Sequence, residues 1–471
     1  MMPLGKMYIS PLVHVLLLAV APPSTRAFTS PTSSSSARRL GSCSSPLAMS
    51  SASPPTPTSP RSPRNIVVIG GGIQATSVAF HISQSKHLPD GSSVTILEAQ
   101  KLANAASGKG GGFMARSWGD GSPTQTLHEL AFDMYEELCP MLGVQSYRKL
   151  PVLSVSPGPT AKSRQDNKSK NPSISDIVPN WLDGSVGRLA PMGFGDDTAQ
   201  VTPREVVERM IEFAAIDVVL GKCVGVDAEV KGEAKAVTGV KYVDKETGEE
   251  RVLPASDVVV SAGPWSCNAE HWFDGAVSLP MDGVKSTSIV WRPPRDGSPV
   301  DATALFCGED PRYNTHLECY PRPDGTIYLC GIGGSDYIST QQLQNDAFLT
   351  DCPPKEDRVE AATASFQMMS HAYQTDGELL QSQACMRPCP PDAKPYMGRI
   401  DGYHGAFINA GHNCWGIAWA PACGKAMAEL VLEGSCKSVN LNPFNPSRFT
   451  APGSRGGRGR KKKGVSVGEQ W

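Results

Sequence analysis

Apolar residues fall in short runs along this chain, and the spacing within each run separates strands from helices. Asn65-Ile-Val-Val-Ile69 is a compact β-branched run of the kind that fills a buried parallel strand. It leads into Gly70-Gly71-Gly72-Ile73-Gln74-Ala75, after which Ala75, Ala79 and Ile82 share one helical face. A second strand is expected over Ser93–Leu97, closed by Glu98. A third begins at Asp257 and ends in the small-residue turn Ala262-Gly263-Pro264-Trp265. Phe407-Ile-Asn-Ala-Gly411-His412 repeats the strand-to-glycine pattern and leads into a helix over Pro421–Leu432. Between these segments the periodicity predicts an amphipathic helix over Leu127–Leu138 and strands over Lys149–Val155, Ser286–Trp291, His316–Tyr320 and Thr326–Leu329. Asp324-Gly325 reads as the hairpin turn between the last two, and the polar stretch Ser156–Ser175 as a disordered loop insertion.

The first glycine run carries chemistry. Gly70 and Gly72 occupy G-x-G positions and Ala75 the third small position, which lets a backbone approach a pyrophosphate at a helix N-terminus. Glu98, at the end of the next strand, is placed to accept hydrogen bonds from ribose hydroxyls. The pattern reads as an adenine dinucleotide site rather than a merely tight turn. A second small-residue stretch, Asn104-Ala-Ala106-Ser107-Gly108-Lys109-Gly110-Gly111-Gly112-Phe113, is suited to a bulky, flat, polar ligand, the alternative being a flexible loop. Gly331-Ile-Gly333-Gly334-Ser-Asp336 ends in an acid where a small residue belongs. It is read as a strand edge or turn, and NAD(P)H is not expected as co-substrate. There is no Ser-His-Asp arrangement, HExxH or metal-ligand cluster, so hydrolase chemistry has no support and no metal is expected.

Composition changes the picture mainly at the ends. The 471 residues hold 44 basic and 46 acidic side chains. Twelve of the basics and one acid lie in residues 1–64 and 451–471, so residues 65–450 carry a net charge of −13. An acidic body argues against a nucleic-acid partner. No apolar run reaches the ~18–20 residues of a membrane span, so no integral membrane segment is expected after presequence removal. Residues 1–27 read as a signal peptide with small residues Thr25 and Ala27 before the cleavage point, and 28–64 as a transit-like disordered segment. The pair resembles the two-part presequences of algae with secondary plastids. That implies a plastid location, with mitochondrion and secretion as alternatives. Thirteen cysteines without framework spacing fit reduced thiols, and residues 441–471 form a basic disordered tail.

In this order, the Gly70–Ala75, Ala106–Phe113, Ser261–Trp265 and Gly411 segments resemble the D-amino-acid oxidase (DAO) superfamily of FAD-dependent oxidoreductases. Ala106-Ser-Gly-Lys-Gly-Gly-Gly-Phe113 with Trp118 is similar to a fungal and plant branch known mainly by sequence. The resemblance implies an α/β fold: an interrupted Rossmann-like FAD-binding domain with a second, mixed-sheet α+β substrate domain. FAD-binding parts are expected at 65–125, 201–278 and 376–440, and substrate-domain parts at 126–200 and 279–375. It implies that Gly70, Gly71, Gly72, Ile73, Gln74, Ala75, Glu98 and Ala99 hold the ADP moiety, with Ala106, Ser107, Gly108, Lys109, Gly110, Gly111 and Gly112 beside pyrophosphate and flavin. The resemblance further implies that Val224 meets the adenine through its backbone, that Ala262, Gly263 and Trp265 close on the nucleotide, and that Gly411, His412, Asn413, Trp415 and Gly416 cap the flavin.

Cys385-Met-Arg387-Pro388, with Asp392 and Lys394-Pro-Tyr-Met-Gly398 downstream, resembles the glycine oxidase segment whose Arg pairs with the substrate carboxylate. Arg387 is its match, and the alternative is a structural ion pair. Arg116 falls at the offset of a carboxylate-binding Arg in monomeric sarcosine oxidase, or is a surface residue. Ala418 stands where that relative has a Lys, which argues against sarcosine as substrate, and Cys385 stands where it tethers flavin covalently. The expected function is oxidation of the CH–NH bond of a carboxylate-bearing amine, with dioxygen or another electron acceptor. Alternatives are a 2-hydroxy-acid dehydrogenase using His412 as base, and a non-catalytic flavin-binding assembly factor.

Overall fold

The computed structural model describes residues 62–450, apart from 120, 159–171, 296 and 298. Residues 1–61 of the expected leader, most of the expected Ser156–Ser175 insertion and residues 451–471 of the expected tail lie outside the described residues. Residues 64 and 441–450, expected in disordered segments, are instead part of the fold, because Arg64 has a buried acid to pair with and Phe444 is fully buried in the first of two short turns, Asn442–Phe444 and Pro446–Phe449. Ten strands build the walls of the central cavity: β1 (Asn65–Ile69), β2 (Ser93–Glu98), β3 (Asp217–Lys231), β4 (Asp257–Val260), β5 (Asp282–Arg292), β6 (Ala304–Cys307), β7 (Glu318–Pro321), β8 (Ile327–Cys330), β9 (Glu378–Cys389) and β10 (Ala406–Ala410).

In the first sheet β3, β2, β1, β4 and β10 lie side by side and parallel, in that order. A strand over Tyr396–Arg399 adds antiparallel to β10, and a hairpin of Ala234–Asp244 and Glu250–Pro254 extends the β3 edge. Ile66, Val67, Val68 and Ile69 are all nearly inaccessible, as a strand covered on both faces requires. Helices α1 (Ile73–Ser83), α2 (Gln125–Leu142), α3 (Pro203–Ala214), α4 (Glu356–Met369) and α5 (Ala420–Glu433) complete the frame. One core joins α1, α2, α3 and α5 through Val78, Phe80, Tyr135, Val207 and Met427. Arg64 locks the start of β1 with a bidentate pair to Asp257 and a bond from Nη1 to the Val431 carbonyl at 2.9 Å.

The second sheet runs from Asp336–Ile338 through β5, β8, β7 and β6 to Val152–Pro157 and Val186–Gly193, with β9 on the other side of β5. Side chains alternate between its faces. Leu305, Cys319, Ile327, Leu329, Ile289 and Trp291 face a core shared with Phe366 and Tyr373. The opposite face belongs to the cavity.

Several elements differ from expectation for local reasons. The strand expected over Lys149–Val155 is two strands, because Pro151 has no N–H to continue a ladder; Arg148–Lys149 pairs instead in a small sheet with Thr198–Gln200. The strand expected from His316 begins at Glu318. Asp310 accepts from Arg312 and Ser365 and holds 310–315 as a tight turn. The Cys385–Cys389 stretch, which its prolines suggest is loop, is the end of the twelve-residue β9, paired along β5 from Arg292 to Asp282. The Asp324-Gly325 turn joins β7 and β8 as a hairpin, and Gly331–Ser335 is a turn between β8 and Asp336–Ile338.

Candidate functional site

A cavity of about 810 Å³ runs from the C-terminal ends of the parallel strands to the face of the second sheet. At one end the glycine turn after β1 meets the start of α1. Gly70 has φ +115°, and a Cβ there would run into the Ser261 carbonyl, so only glycine fits between β1 and β4. Ser107, in a single helical turn over Ala106–Lys109, accepts from the Ile73 N–H at 2.9 Å and stands against Gly72.

Glu98 closes this end. Its carboxylate accepts from the Gly71 N–H at 2.6 Å and the Gln100 N–H at 2.7 Å. Burial pushes its carboxyl above the ordinary range, while the amides of Gln100 and Gly71 pull it back. Lone pairs remain on both oxygens for ribose hydroxyls. Val224, at a bulge in β3, and the Ala262–Trp265 turn form the facing walls. The acceptor at Glu98, the amides of the α1 turn and a groove this long fit an adenine dinucleotide.

The middle of the cavity is bounded by Lys109–Gly112 and by Gly411–Gly416. The Lys109 ammonium donates to the Ala384 carbonyl at 2.9 Å, and the Gln383 amide donates back to the Lys109 carbonyl at 3.1 Å, so the glycine segment is tied to β9. Gln74 donates to the Gly416 carbonyl at 2.6 Å and accepts from Asn409, bracing the capping turn from beneath. His412 is 3% exposed, its Nε2 has no hydrogen-bond partner among the described residues, and burial drives its imidazole down to about 3.

The far end is the open face of the second sheet. Cross-strand register sets Phe306 beside Glu318, Glu318 beside Cys330 and Tyr320 beside Tyr328. Cys385 pairs with Ser286, and Arg387 with Val284, farther along β5 and β9. Burial holds the Cys385 thiol up at about 11, against the pull of Lys109 and Arg387. Phe113 stacks on Tyr320 with centroids 5.4 Å apart and planes 8° from parallel. Gly111 lies so close to the Tyr320 and Tyr328 rings that a Cβ would overlap both. The segment 346–352 also lines the cavity. An ion pair from Lys222 to Asp346, a bond from Trp265 Nε1 to the Ala347 carbonyl at 3.1 Å, and Lys285 4.9 Å over the Phe348 ring hold it there.

Of the residues singled out from sequence, all but three line this one cavity. Ala75 is fully buried in the packing of α1, consistent with a spacer role between helix and sheet. Gly108 faces the Ala103 carbonyl and Arg204. Arg116, expected beside a substrate carboxylate, points away. Its Nε and Nη2 bind Asp133 of α2 at 2.8 and 3.0 Å, and 43% of its side chain is exposed. The offset from the glycine stretch could not reveal this partner, because Asp133 arrives on a separate helix. Sequence reading missed Glu318, Phe306, Tyr320 and Tyr328. The only signal was alternation within Glu318-Cys-Tyr320 and Tyr328-Leu-Cys330.

Among the described residues no helix is long and apolar enough to cross a membrane, and no cluster of ligating side chains could hold a metal. A Schizosaccharomyces pombe protein named as a candidate oxidoreductase is 26% identical over 405 residues, 81% of this chain and 98% of its own length. A Pseudomonas putida glycine oxidase is 29% identical over 214 residues, 45% of this chain and 50% of its own. Glycine oxidase from Geobacillus kaustophilus superposes with a TM-score of 0.61 over 82% of this chain and 99% of that one, at 17% identity. L-amino acid deaminase from Proteus vulgaris gives 0.62 over 82% and 97%, at 19% identity. The model of the FAD dependent oxidoreductase family, DAO, matches residues 65–430. With the nucleotide cradle, the fold and this match in agreement, the chain belongs to the DAO family of oxidoreductases and uses FAD.

Proposed function

We propose that this enzyme oxidises the CH–NH bond of an amino acid or related carboxylate-bearing amine. The observation that carries the reading is Arg387 on β9, which lines the same cavity as the glycine segment and the capping turn. A planar, permanently charged guanidinium offers paired donors to a carboxylate. Bound FAD supplies the two-electron acceptor.

The residues of the chain do the rest. Arg387 fixes the carboxylate and hence the Cα next to it. The rings of Phe113, Tyr320 and Tyr328 exclude water from that end. As the amine lone pair forms C=N, Cα–H leaves with its electron pair and the nitrogen loses a proton. The imine that remains is hydrolysed by water to a carbonyl compound and an amine or ammonia. An amine that binds neutral needs no protein base. Hydroxy-acid oxidation needs one, and an imidazole held down at about 3 is too weak to serve near neutral pH. Glycine oxidases and L-amino acid deaminases among the related proteins also support an amine substrate.

Anaerobic bleaching of the flavin in purified holoenzyme, over paired amino and 2-hydroxy acids, tests the proposal. Amino acids should bleach it and hydroxy acids should not. The Arg387→Ala variant should keep its FAD and lose bleaching. Reduction by hydroxy acids alone, or by nothing in the panel, overturns the reading; loss of FAD from the variant makes Arg387 structural.

A further inference from the structure

We propose that the oxidised amino acid carries a second, cationic group at the end of its side chain, held by Glu318 against a wall of aromatic rings. The inference rests on the amine-oxidation reading above and names the substrate class for the same cavity.

The wall is built by register. Phe306, on β6, and Glu318, on β7, are cross-strand neighbours facing the cavity, and Tyr320 follows two residues on, facing the same way. Phe113 closes on them from the glycine segment, 5.1 Å from Phe306 and 5.4 Å from Tyr320 between centroids. Trp118 completes the ring wall, 5.2 Å from Phe306 and 5.3 Å from Phe113. At these separations the rings pack on one another as a single wall of the cavity, and an electron-rich aromatic wall attracts a cation brought against it.

Glu318 is fixed within this wall. One carboxylate oxygen accepts from the Tyr320 hydroxyl and from the Cys330 thiol at 3.3 Å. No Lys or Arg pairs with it among the described residues. Both of these donors, Tyr320 and Cys330, reach the same oxygen, so the other carboxylate oxygen is left to accept from a ligand. The same carboxylate repels an acidic side chain and wastes its charge on an aliphatic one. Glu318 and Arg387 lie on strands of the same sheet and line the same cavity, so a molecule bound there meets both the anion-binding and the cation-binding group. The chemistry is that of an amino acid ending in an ammonium, guanidinium or quaternary nitrogen.

The test uses holoenzyme in two arms. In the first, flavin reduction is timed anaerobically with lysine, arginine and norleucine, both enantiomers of each. The cationic amino acids should exceed norleucine in rate over dissociation constant by about 30-fold or more, the value of a hydrogen bond to a charged group. Glu318→Gln keeps an acceptor for Tyr320 and Cys330 but removes the charge, and should collapse that ratio by a similar factor. In the second arm, perturbation of the flavin spectrum measures binding of 6-aminohexanoate against hexanoate, neither of which has an α-amine. The aminated probe should bind at least about tenfold more tightly, and Glu318→Gln should erase the difference. Equal response to charged and neutral members of both pairs, or a ratio unchanged in Glu318→Gln, overturns the proposal. Selective, Glu318-dependent binding of 6-aminohexanoate with no amino acid reducing the flavin upholds the cationic subsite and defeats the amine-oxidation reading instead.

Discussion

His412 gives a stability prediction whose size follows from its burial. The residue caps the cavity from the turn after β10, is 3% exposed, and has an imidazole driven from 6.5 down to about 3 by desolvation. In the folded protein it is neutral throughout the physiological range; in the unfolded chain it titrates at its ordinary value. A folded value below the unfolded one means that the unfolded chain binds the extra proton. The contribution to stability is therefore complete above pH 6.5 and is lost as pH falls from 6.5 towards 3. At pH 5.0 the loss is about 1.5 pH units at 1.36 kcal/mol each, or roughly 2 kcal/mol. A folded body of this size has an unfolding entropy on the order of 0.8 kcal/mol per degree, so this term alone lowers Tm by about 2–3 °C.

Other groups also titrate over this range, so the measurement is a difference of slopes. Tm of the wild-type holoenzyme and of His412→Asn is followed at saturating FAD from pH 7.5 to 5.0. The variant is less stable at every pH because it leaves a void, but its acid slope should be shallower by about 2 kcal/mol over the interval. Parallel slopes would show that His412 is already protonated, or already solvated, in the fold.

Three further outcomes follow from single contacts. Glu98→Gln should weaken FAD binding by about 1.5–3 kcal/mol, read by quenching of flavin fluorescence on titrating apoprotein. Because the carboxyl is raised by burial and ribose hydroxyls favour its ionised form, wild-type affinity should fall as the solution is acidified while that of Glu98→Gln stays flat; a flat wild-type profile refutes the assignment. Arg64→Ala leaves Asp257 buried without its partner and should cost about 3 kcal/mol in urea unfolding, and a loss below about 1 kcal/mol would mean that water satisfies Asp257. Arg116→Ala removes only an exposed pair to Asp133, so kcat/KM should change by less than about twofold; a tenfold loss would return Arg116 to the substrate site.

The two ends of the cavity differ in how much of them can be read from sequence, and the difference is physical. A pyrophosphate is held by backbone, and the demand for backbone access writes itself locally as Gly70–Gly72, with an acid one strand later at Glu98. The proposed substrate end is lined by side chains on strands far apart in sequence. Glu318 meets Phe306 and Cys330 only through the pairing of β6, β7 and β8, and Arg387 reaches the cavity only because β9 pairs with β5 about a hundred residues before it. Arg387 could be singled out through a family likeness, whereas Glu318 had only a two-residue alternation among buried neighbours to mark it. The separate likeness to monomeric sarcosine oxidase left Arg116 open between a carboxylate ligand and a surface residue, and the structure places it on the surface, since an offset along the chain carries no information about an acid waiting on α2. Register therefore decides which side chains line that end of the cavity. Slipping β7 by one residue against β6 and β8 would exchange Glu318 and Tyr320 for Cys319 on the cavity face, leaving the FAD cradle untouched and the proposed cationic subsite gone.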